Sequence, residues 1–287
     1  MSQMANYRKV QQVREAERAT AFQGEHGAYS EEAAFTHFGT SAKTKPCKTL
    51  RQVFSWVEDR TTEFGVVPAE NSIEGSVTQT YDLLLESSLR ICGEVKLRII
   101  HCLLSLPETD MADIRVVYSH PQALAQCAGF LAGLHVETEP TYDTAGSAKM
   151  IRERKIRDAG AIASERAAQI YDLRILRTHI EDVAENFTRF FIVGWDDLPP
   201  TGKDRTSIVF GTRHVPGSLY TALGELALRK INLTKIESRP TRRTPWEYHF
   251  FVDFEGHRLD TACAEALEAL RTSTTFLKIL GSYPRGA

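Results

Sequence analysis

Between residues 18 and 194 the sequence alternates short apolar segments with amphipathic stretches of helical period, and this alternation restricts the fold more than any other feature. It is typical of βα units that build a largely parallel sheet. The predicted strands span residues 19–23, 63–67, 114–118, 159–163 and 188–193. The predicted helices span residues 30–38, 49–58, 77–86, 121–131, 145–153 and 164–171. We therefore expect an α/β domain.

A second, smaller domain is predicted after a linker. The alternation ends at residues 195–205, where two adjacent prolines, a glycine and several charged residues are typical of a linker. The predicted order beyond it is a strand (206–212), a helix (218–230), two strands (233–238 and 247–254), a helix (261–272) and a strand (276–280). This βαββαβ order is that of the ferredoxin-like unit.

The composition argues against nucleic-acid and membrane partners. The net charge is only -2, so no long-range field attracts an anionic polymer or membrane surface. No apolar run approaches the ~20 residues of a membrane helix, and the polar residues 1–15 lack the apolar core of a signal peptide. Five scattered cysteines without a Cys-x-x-Cys pair indicate a reducing compartment, and the histidines show no zinc spacing. We expect a cytoplasmic protein without a metal.

Four loops that follow predicted strands are rich in glycine and in small hydroxyl and amide residues: residues 24–30, 70–76, 119–122 and 143–147. In open α/β sheets ligands bind beyond the carboxyl ends of strands, where helices begin. Each loop supplies an N-cap side chain and free backbone N–H groups at the positive end of a helix dipole. Together they would hold a small anion with several carboxylates. The alternative is that each loop only caps its own helix.

The segment Asn186-Phe187-Thr188-Arg189-Phe190 places polar side chains at the start of an otherwise apolar strand. One interpretation is structural, because threonine favours strands and arginine favours solvent. The other is chemical: Thr188 donates a hydrogen bond to a leaving oxygen while Arg189 pairs with a carboxylate.

His120 is a candidate general acid, but it precedes Pro121 at a predicted N-cap, so a structural role is equally consistent with the pattern. His26 and His101 are interpreted as structural or surface residues. Asp82 and Glu86, one helical turn apart, are interpreted as a solvated helix face. In the second domain, residues 215–219 begin a helix and residues 236–240 end a strand, which indicates either a ligand site or a tight turn and a hairpin arm.

Two long motifs resemble those of prephenate dehydratases. Asn186 to Phe190 resembles that family's catalytic Thr-Arg-Phe signature, and residues 237–240 (Glu-Ser-Arg-Pro) resemble its effector motif in the regulatory ACT domain. Residues 68–76, 119–122 and 143–145 resemble three further segments of the family's cleft. The resemblance extends over nearly all of residues 22–283.

The resemblance implies a catalytic domain similar to type II periplasmic binding proteins. Its active site would lie between two lobes, with the chain exchanging lobes near Lys96 and again near Arg177. The implied domains are an extension (1–17), the catalytic domain (18–195), a linker (196–205) and the ACT domain (206–287). Homodimers or homotetramers that bind phenylalanine where ACT domains meet are also implied.

The implied reaction is the loss of water and carbon dioxide from prephenate to give phenylpyruvate in phenylalanine biosynthesis. It needs no cofactor, because formation of an aromatic ring drives it. The implied catalytic residues are Thr188, Arg189, Asn186, Phe190 and Ser119. The implied substrate-binding residues are Tyr29, Ser30, Asn71, Ser72, His120, Gln122 and Thr144. The implied phenylalanine-binding residues are Gly217, Ser218, Leu219, Asn232, Leu233, Glu237, Ser238, Arg239 and Pro240. Thr188 would donate to the departing oxygen directly, through water or through Ser119.

Two alternatives stay open. Residues 23–30 and 143–146 are also similar to arogenate dehydratases, which act on the aminated analogue of prephenate. A small-acid binding or phenylalanine-sensing protein without catalysis would share the same fold. The extension is too short for the chorismate mutase domain fused to some relatives, so no mutase activity is expected. Ser218 departs from the family, which usually has alanine at this position.

Overall fold

The computed structural model describes residues 19–241 and 247–286. The expected amino-terminal extension, residues 1–17, lies outside the described residues. None of the helices within the described ranges is both long and apolar enough to cross a bilayer.

The chain folds into two compact units. Unit 1 contains residues up to Thr80 and Val95–Phe190, and unit 2 contains Tyr81–Glu94 and the residues from Phe191 onwards.

In the described residues the strands are β1 (Thr20–Gln23), β2 (Thr44–Cys47), β3 (Phe64–Asn71), β4 (Gly75–Ser76), β5 (Arg90–Arg98), β6 (Cys102–Ser105), β7 (Val116–Ser119), β8 (Glu137–Pro140), β9 (Ala159–Ala163), β10 (Arg174–Thr178), β11 (Phe187–Gly194), β12 (Asp204–Gly211), β13 (Leu233–Pro240), β14 (Tyr248–Glu255) and β15 (Phe276–Pro284). The helices are α1 (Tyr29–Phe38), α2 (Leu50–Glu58), α3 (Thr78–Glu86), α4 (Pro121–Gln126), α5 (Ala128–Leu134), α6 (Thr144–Arg154), α7 (Glu165–Ile170), α8 (Ser218–Ala227) and α9 (Thr261–Ser273). A 3-10 turn spans Met111–Asp113.

Two sheets form the two lobes of the first domain. The first sheet has the order β2-β1-β3-β11-β5, with β4 paired to β3, and the second has the order β10-β6-β9-β7-β8. The chain passes from the first sheet to the second between β5 and β6, and returns between β10 and β11. The expectation of a two-lobed α/β domain is therefore confirmed.

The second sheet is mixed rather than largely parallel. Strand β1 runs parallel to β2 and β3, and β7 runs parallel to β8 and β9. Strand β6, however, runs antiparallel to β9 and β10. The sequence prediction lacks strands β2, β4, β5, β6, β8 and β10. β8 (Glu-Thr-Glu-Pro) is exposed along its whole length, so it carries no hydrophobic period.

The helix predicted over residues 121–131 is instead two short helices. Helix α4 ends at Gln126 and α5 begins at Ala128, because Cys127 has a backbone conformation (φ -115°, ψ 18°) outside the helical region. The break lets the backbone N–H of Asp182 donate to the backbone carbonyl of Gln126. It also places Gln126 at a helix end, where its side chain reaches the cavity described below.

Unit 2 contains the ferredoxin-like domain that the sequence predicts. Its antiparallel sheet has the order β13-β14-β12-β15, and α8 and α9 cover one face. Apolar side chains of the sheet and of both helices form this core: Ile208, Phe210, Ala222, Leu226, Val252, Phe254, Leu267 and Leu270. On the other face, Tyr81 packs edge-on against Phe251 with ring centroids 5.1 Å apart.

Candidate active site

A cavity of about 170 Å³ lies in unit 1, between the two lobes. It is lined by the carboxyl end of β1, the starts of three helices and the first residues of β11. The lining residues are Gln23, Gly24, Ala28, Tyr29, Ser30, Lys48, Pro68, Asn71, Ile99, His101, His120, Gln122, Ala123, Gln126, Tyr142, Asp143, Thr144, Thr188 and Phe190. The residues come from all four loops in which the sequence predicts an anion site, so these loops do meet.

Asn71 orients the hydroxyl group of Thr188. The side-chain oxygen of Asn71 accepts from the backbone N–H groups of Ile73 (2.9 Å) and Glu74 (3.0 Å), so its Nδ2 must be the donor. That Nδ2 lies 3.0 Å from Oγ1 of Thr188, which therefore accepts. Because Thr188 lines the cavity, its own O–H is left to donate to a group bound there.

A chain of hydrogen bonds continues from Asn71 across the lobes. Asn71 Nδ2 also donates to Oδ1 of Asn186 (2.7 Å), and Asn186 Nδ2 donates to Oε1 of Gln126 (2.9 Å). The same oxygen of Gln126 accepts from Nε2 of His101 (3.0 Å), whose Nδ1 lies 3.1 Å from the hydroxyl of Tyr29. Each amide orientation is thereby set by the one before it.

Burial favours the uncharged form of His101. Burial lowers its pKa, against the opposing effects of the Gln126 hydrogen bond and the Glu181 charge. Since Gln126 Oε1 accepts, the single ring proton of His101 sits on Nε2 and Nδ1 is an acceptor. Burial likewise raises the pKa of Tyr29, and its hydroxyl lies 2.7 Å from the carbonyl oxygen of Ile100. Tyr29 therefore enters the site as an uncharged hydroxyl group.

Three helices begin at the cavity, and their first turns supply positive dipole ends. Helix α1 starts at Tyr29 without a side-chain cap, α4 is capped by Nδ1 of His120, and α6 is capped by Asp143. Since Nδ1 of His120 accepts from the N–H of Gln122, the ring proton sits on Nε2, which is a donor. Lys48 is the one lysine or arginine among the lining residues.

Asp143 joins the lobes at the cavity wall. Its Oδ2 accepts from the N–H groups of Glu25 (3.0 Å) and Gly146 (2.9 Å). Burial raises the pKa of Asp143, and these two N–H groups oppose the rise. On the same side, Ser164 Oγ donates to the carbonyl of Gly27 (2.7 Å). Gly27 has φ +90°, and a Cβ there would lie 2.8 Å from the Cα of Ala167, so this loop requires glycine.

Four of the residues predicted for the site lie outside the cavity lining. Arg189 points away because adjacent strand residues face opposite sides, and its guanidinium lies 3.8 Å from Glu70. Asn186 is fully buried and acts through Asn71. Ser119 is fully buried, and its Oγ donates to the carbonyl of Ile162 (2.7 Å). Ser72 accepts from the N–H of Phe187 (2.9 Å) and holds the start of β11.

The other predicted residues of this site lie on the cavity: Thr188, Phe190, Tyr29, Ser30, Asn71, His120, Gln122 and Thr144. The motifs do not indicate Lys48, His101 or Gln126. Asp143 belongs to the motif at residues 143–145, although it is not among the residues implied to bind substrate. From the sequence, His101 is interpreted as a structural or surface residue. Gln126 lies inside a predicted helix, and no local signal distinguishes it from a surface glutamine.

The residues predicted to bind phenylalanine lie at two places in unit 2. Gly217, with φ +84°, precedes α8, and Ser218 Oγ donates to the carbonyl of Val215 (2.9 Å). Leu219 and Leu233 pack at the edge of the core between sheet and helices. Asn232, Ser238 and Pro240 are exposed, whereas Glu237 is half-buried and Arg239 is buried.

Comparison with known proteins identifies the family. The family model described as prephenate dehydratase matches residues 20–197, and the model for the ACT domain matches residues 206–272. The chain belongs to the prephenate dehydratase family. Arogenate dehydratase/prephenate dehydratase 2 of Arabidopsis thaliana is 45% identical over 276 residues, which covers 92% of this chain and 72% of that protein.

Solved structures agree on the fold of this prephenate dehydratase family member. A prephenate dehydratase of Arthrobacter aurescens in complex with L-Phe has a TM-score of 0.86 at 31% identity, covering 93% of this chain and 90% of that chain. The structure of GqqA, described as a novel type of quorum quenching acylase, has a TM-score of 0.85 at 38% identity, covering 93% and 98%. The periplasmic-binding-protein-like catalytic domain followed by an ACT domain is thus confirmed.

Proposed function

We propose that the protein catalyses the decarboxylating dehydration of prephenate to phenylpyruvate in phenylalanine biosynthesis. The ring carboxylate leaves as carbon dioxide and its bonding electrons enter the ring. At the ring carbon opposite the carboxylate, the C–O bond breaks with its electron pair on the departing oxygen, which takes a proton from the solvent and leaves as water. The observation that carries the proposal is the orientation of the Thr188 hydroxyl group. Its oxygen accepts a hydrogen bond from Asn71 Nδ2, so its O–H can donate to a group bound in the cavity.

Thr188 is a positioned donor rather than an acid that titrates. Its O–H stabilises the negative charge that develops on the leaving oxygen, and a fixed donor does so without reorganisation during the reaction. The chain of Asn71, Asn186, Gln126 and His101 keeps this donor aimed. Phe190 lines the same side of the cavity and offers an apolar surface to the ring as it becomes aromatic.

Helix dipoles, the Lys48 ammonium group and the Nε2–H of His120 are proposed to bind the two carboxylates of the substrate. Arg189, which the sequence suggested for this role, is paired with Glu70 behind the strand. We propose that it sets the position of β11 instead. In the same way, Ser119 and Ser72 are proposed to hold the strand ends that carry His120 and Thr188.

Phenylalanine is proposed as the allosteric effector, bound near Gly217–Leu219 and Ser238 of the ACT domain. The motif, the ACT match and the L-Phe complex of the Arthrobacter relative support this. A homodimer or homotetramer is proposed because unit 2 exposes large apolar side chains, with Tyr220 82% and Leu228 80% exposed. A cytoplasmic location is proposed because all five cysteines are buried and free.

Arogenate is the second candidate substrate, since the Asp143 carboxyl group on the cavity wall offers a partner to an ammonium group. Acyl-amide hydrolysis is suggested by the description of GqqA alone. Among the described residues, neither cavity histidine is hydrogen-bonded to a serine or cysteine side chain, the arrangement that activates such a nucleophile.

The test is a side-by-side assay of the purified chain with prephenate, arogenate and an N-acyl amino acid, each with and without phenylalanine. We expect phenylpyruvate from prephenate, detected by its ultraviolet absorbance in alkali, and inhibition by millimolar phenylalanine. Faster turnover of arogenate would make it an arogenate dehydratase. Tight binding of prephenate without turnover would favour a binding protein, and hydrolysis of the amide alone would overturn the proposal.

A further inference from the structure

Strand β13 presents its effector motif on two faces of the ACT sheet. Ser238 pairs across the sheet with Phe250, which packs on the core beneath α8 and α9. Arg239 and Glu237 point to the opposite face, where Phe251 lies opposite Glu237 and contacts Tyr81. Burial along the strand alternates accordingly, exposed at Ser238 and buried at Arg239. The motif therefore faces the proposed effector site on one side and helix α3 on the other.

The buried arginine forms an ion pair with that helix. Nη2 of Arg239 lies 3.2 Å from Oδ1 and 3.3 Å from Oδ2 of Asp82, which is in the middle of α3. The Arg239 side chain is only 9% exposed, so its charge depends on protein partners rather than on water. From the sequence, Asp82 is interpreted as part of a solvated helix face. In the structure it is instead paired with Arg239 of strand β13.

The carboxyl-terminal half of α3 is held by the ACT sheet at further points. Nζ of Lys278 on β15 donates to the backbone carbonyls of Leu84 (2.9 Å), Leu85 (2.8 Å) and Ser87 (2.5 Å). These are carbonyls that a helix end leaves without an internal partner, and the ammonium charge also suits the negative end of the dipole. Together with Tyr81 on Phe251, they fasten this half of α3 to the sheet.

The amino-terminal end of α3 is fastened to the catalytic cavity. Thr80 Oγ1 donates to the carbonyl of Pro68 (2.6 Å), and the N–H of Val77 donates to the carbonyl of Ala69 (2.8 Å). The hairpin of β3 and β4 places Asn71 opposite Gly75, immediately before the helix. A shift of α3 would therefore move the β3–β4 hairpin, which carries Asn71, the residue that orients the Thr188 hydroxyl.

We propose that the Asp82–Arg239 ion pair couples the binding of phenylalanine at the ACT domain to the orientation of Asn71 and Thr188. Helix α3 transmits this coupling. The inference rests on the proposed function and names how its regulation reaches the cavity. Phenylalanine beside Ser238 displaces β13, Arg239 on the other face of the strand carries the displacement to α3, and Thr188 loses its orientation. Arg239 is then a positioning residue rather than an effector ligand.

The experiment compares wild type with Asp82→Asn, which removes the charge and keeps the size of the side chain. Three quantities are measured: the kinetic constants with prephenate, the phenylalanine concentration that gives half-inhibition, and the rise in melting temperature on adding phenylalanine. We expect kinetic constants near those of wild type and a retained rise in melting temperature. The half-inhibitory concentration should increase about tenfold or more, within the usual range of allosteric coupling. Asp82→Glu, which keeps the charge, should restore inhibition.

Asp197→Asn is the matched control. Asp197 also pairs with an arginine (Arg258) in unit 2, and its side chain is 37% exposed, the same as that of Asp82. This control should be inhibited like wild type. Equal inhibition of wild type and Asp82→Asn overturns the inference while leaving the proposed function intact, and so does loss of phenylalanine binding in Asp82→Asn. A wild-type protein that does not turn over prephenate overturns the proposed function itself.

Discussion

Replacing Thr188 with valine removes the proposed donor and almost nothing else. Valine has nearly the same shape and the same preference for strands. Asn71 Nδ2 keeps two other acceptors, Oδ1 of Asn186 at 2.7 Å and the carbonyl of Phe187 at 3.2 Å, so no buried group is left unpaired. The expected loss of stability is therefore about 1 kcal/mol, the net value of one hydrogen bond.

The effect on the reaction should be much larger. A positioned donor to a leaving group contributes roughly 10²–10⁴-fold, which corresponds to about 2.7–5.4 kcal/mol of transition-state stabilisation. Because the charge on the oxygen develops only as the C–O bond breaks, the loss should appear in kcat, while KM for prephenate changes little. Phenylpyruvate formation in initial-rate assays gives both constants, and a thermal melt confirms the fold.

Thr188→Ser is the companion variant, because it keeps the hydroxyl group and loses only a methyl group. It should retain far more activity than Thr188→Val. If the valine variant keeps kcat within about tenfold of wild type, the hydroxyl does not assist departure of the oxygen and the proposed mechanism is refuted. An increase in KM with unchanged kcat would instead assign Thr188 to substrate binding.

Three further predictions follow from the same structure. Gln126→Leu removes the oxygen that accepts from two members of the hydrogen-bond chain, so kcat should fall at least about tenfold, whereas Gln126→Glu keeps acceptor oxygens and should stay closer to wild type. Gly27→Ala places a Cβ 2.8 Å from the Cα of Ala167, at a residue with φ +90°. It should lower the free energy of unfolding, measured by urea titration, by about 1–3 kcal/mol. Gly133→Ala is the control, because the space around Gly133 is open, and it should not destabilise the protein. Burial lowers the pKa of His37 from 6.5 to about 4, so the folded state binds fewer protons than the unfolded state. The free energy of unfolding should therefore fall as the pH drops from 6.5 towards 4, by up to about 1.4 kcal/mol per pH unit. An equally steep fall in a His37→Gln variant would contradict this.

The local parts of the candidate site are predictable because they depend on short-range rules. The loops with Asp143 and Ser164 do begin helices, and both side chains accept from the N–H group three residues on, as N-caps do. Thr188 and Phe190 share the cavity face of β11, as the alternation of a strand requires. The family motifs indicate which of these loops carry chemistry.

The differences between sequence and structure arise at positions whose environment is set by distant parts of the chain. Arg189 resembles a carboxylate partner because of its motif, but in the structure its guanidinium lies 3.8 Å from Glu70, a residue of the distant strand β3. The single helix expected over residues 121–131 is broken at Cys127, and this break exposes Gln126 to the cavity. Strand β8 cannot be found from periodicity, because all of its residues are exposed and it therefore carries no apolar pattern.

By itself, the sequence determined most of the order of the elements, the succession of an α/β domain and a ferredoxin-like domain, and the family. It could do so because periodicity, turn residues and motifs are properties of neighbouring residues. Only the tertiary structure decided which polar groups share a hydrogen bond. Asn71 and Thr188 are 117 residues apart, and Arg239 and Asp82 are 157 apart, so no local signal announces either pairing. Hydrogen bonds and ion pairs act over a few ångströms, and the partners of a side chain are therefore settled by how the chain folds back on itself.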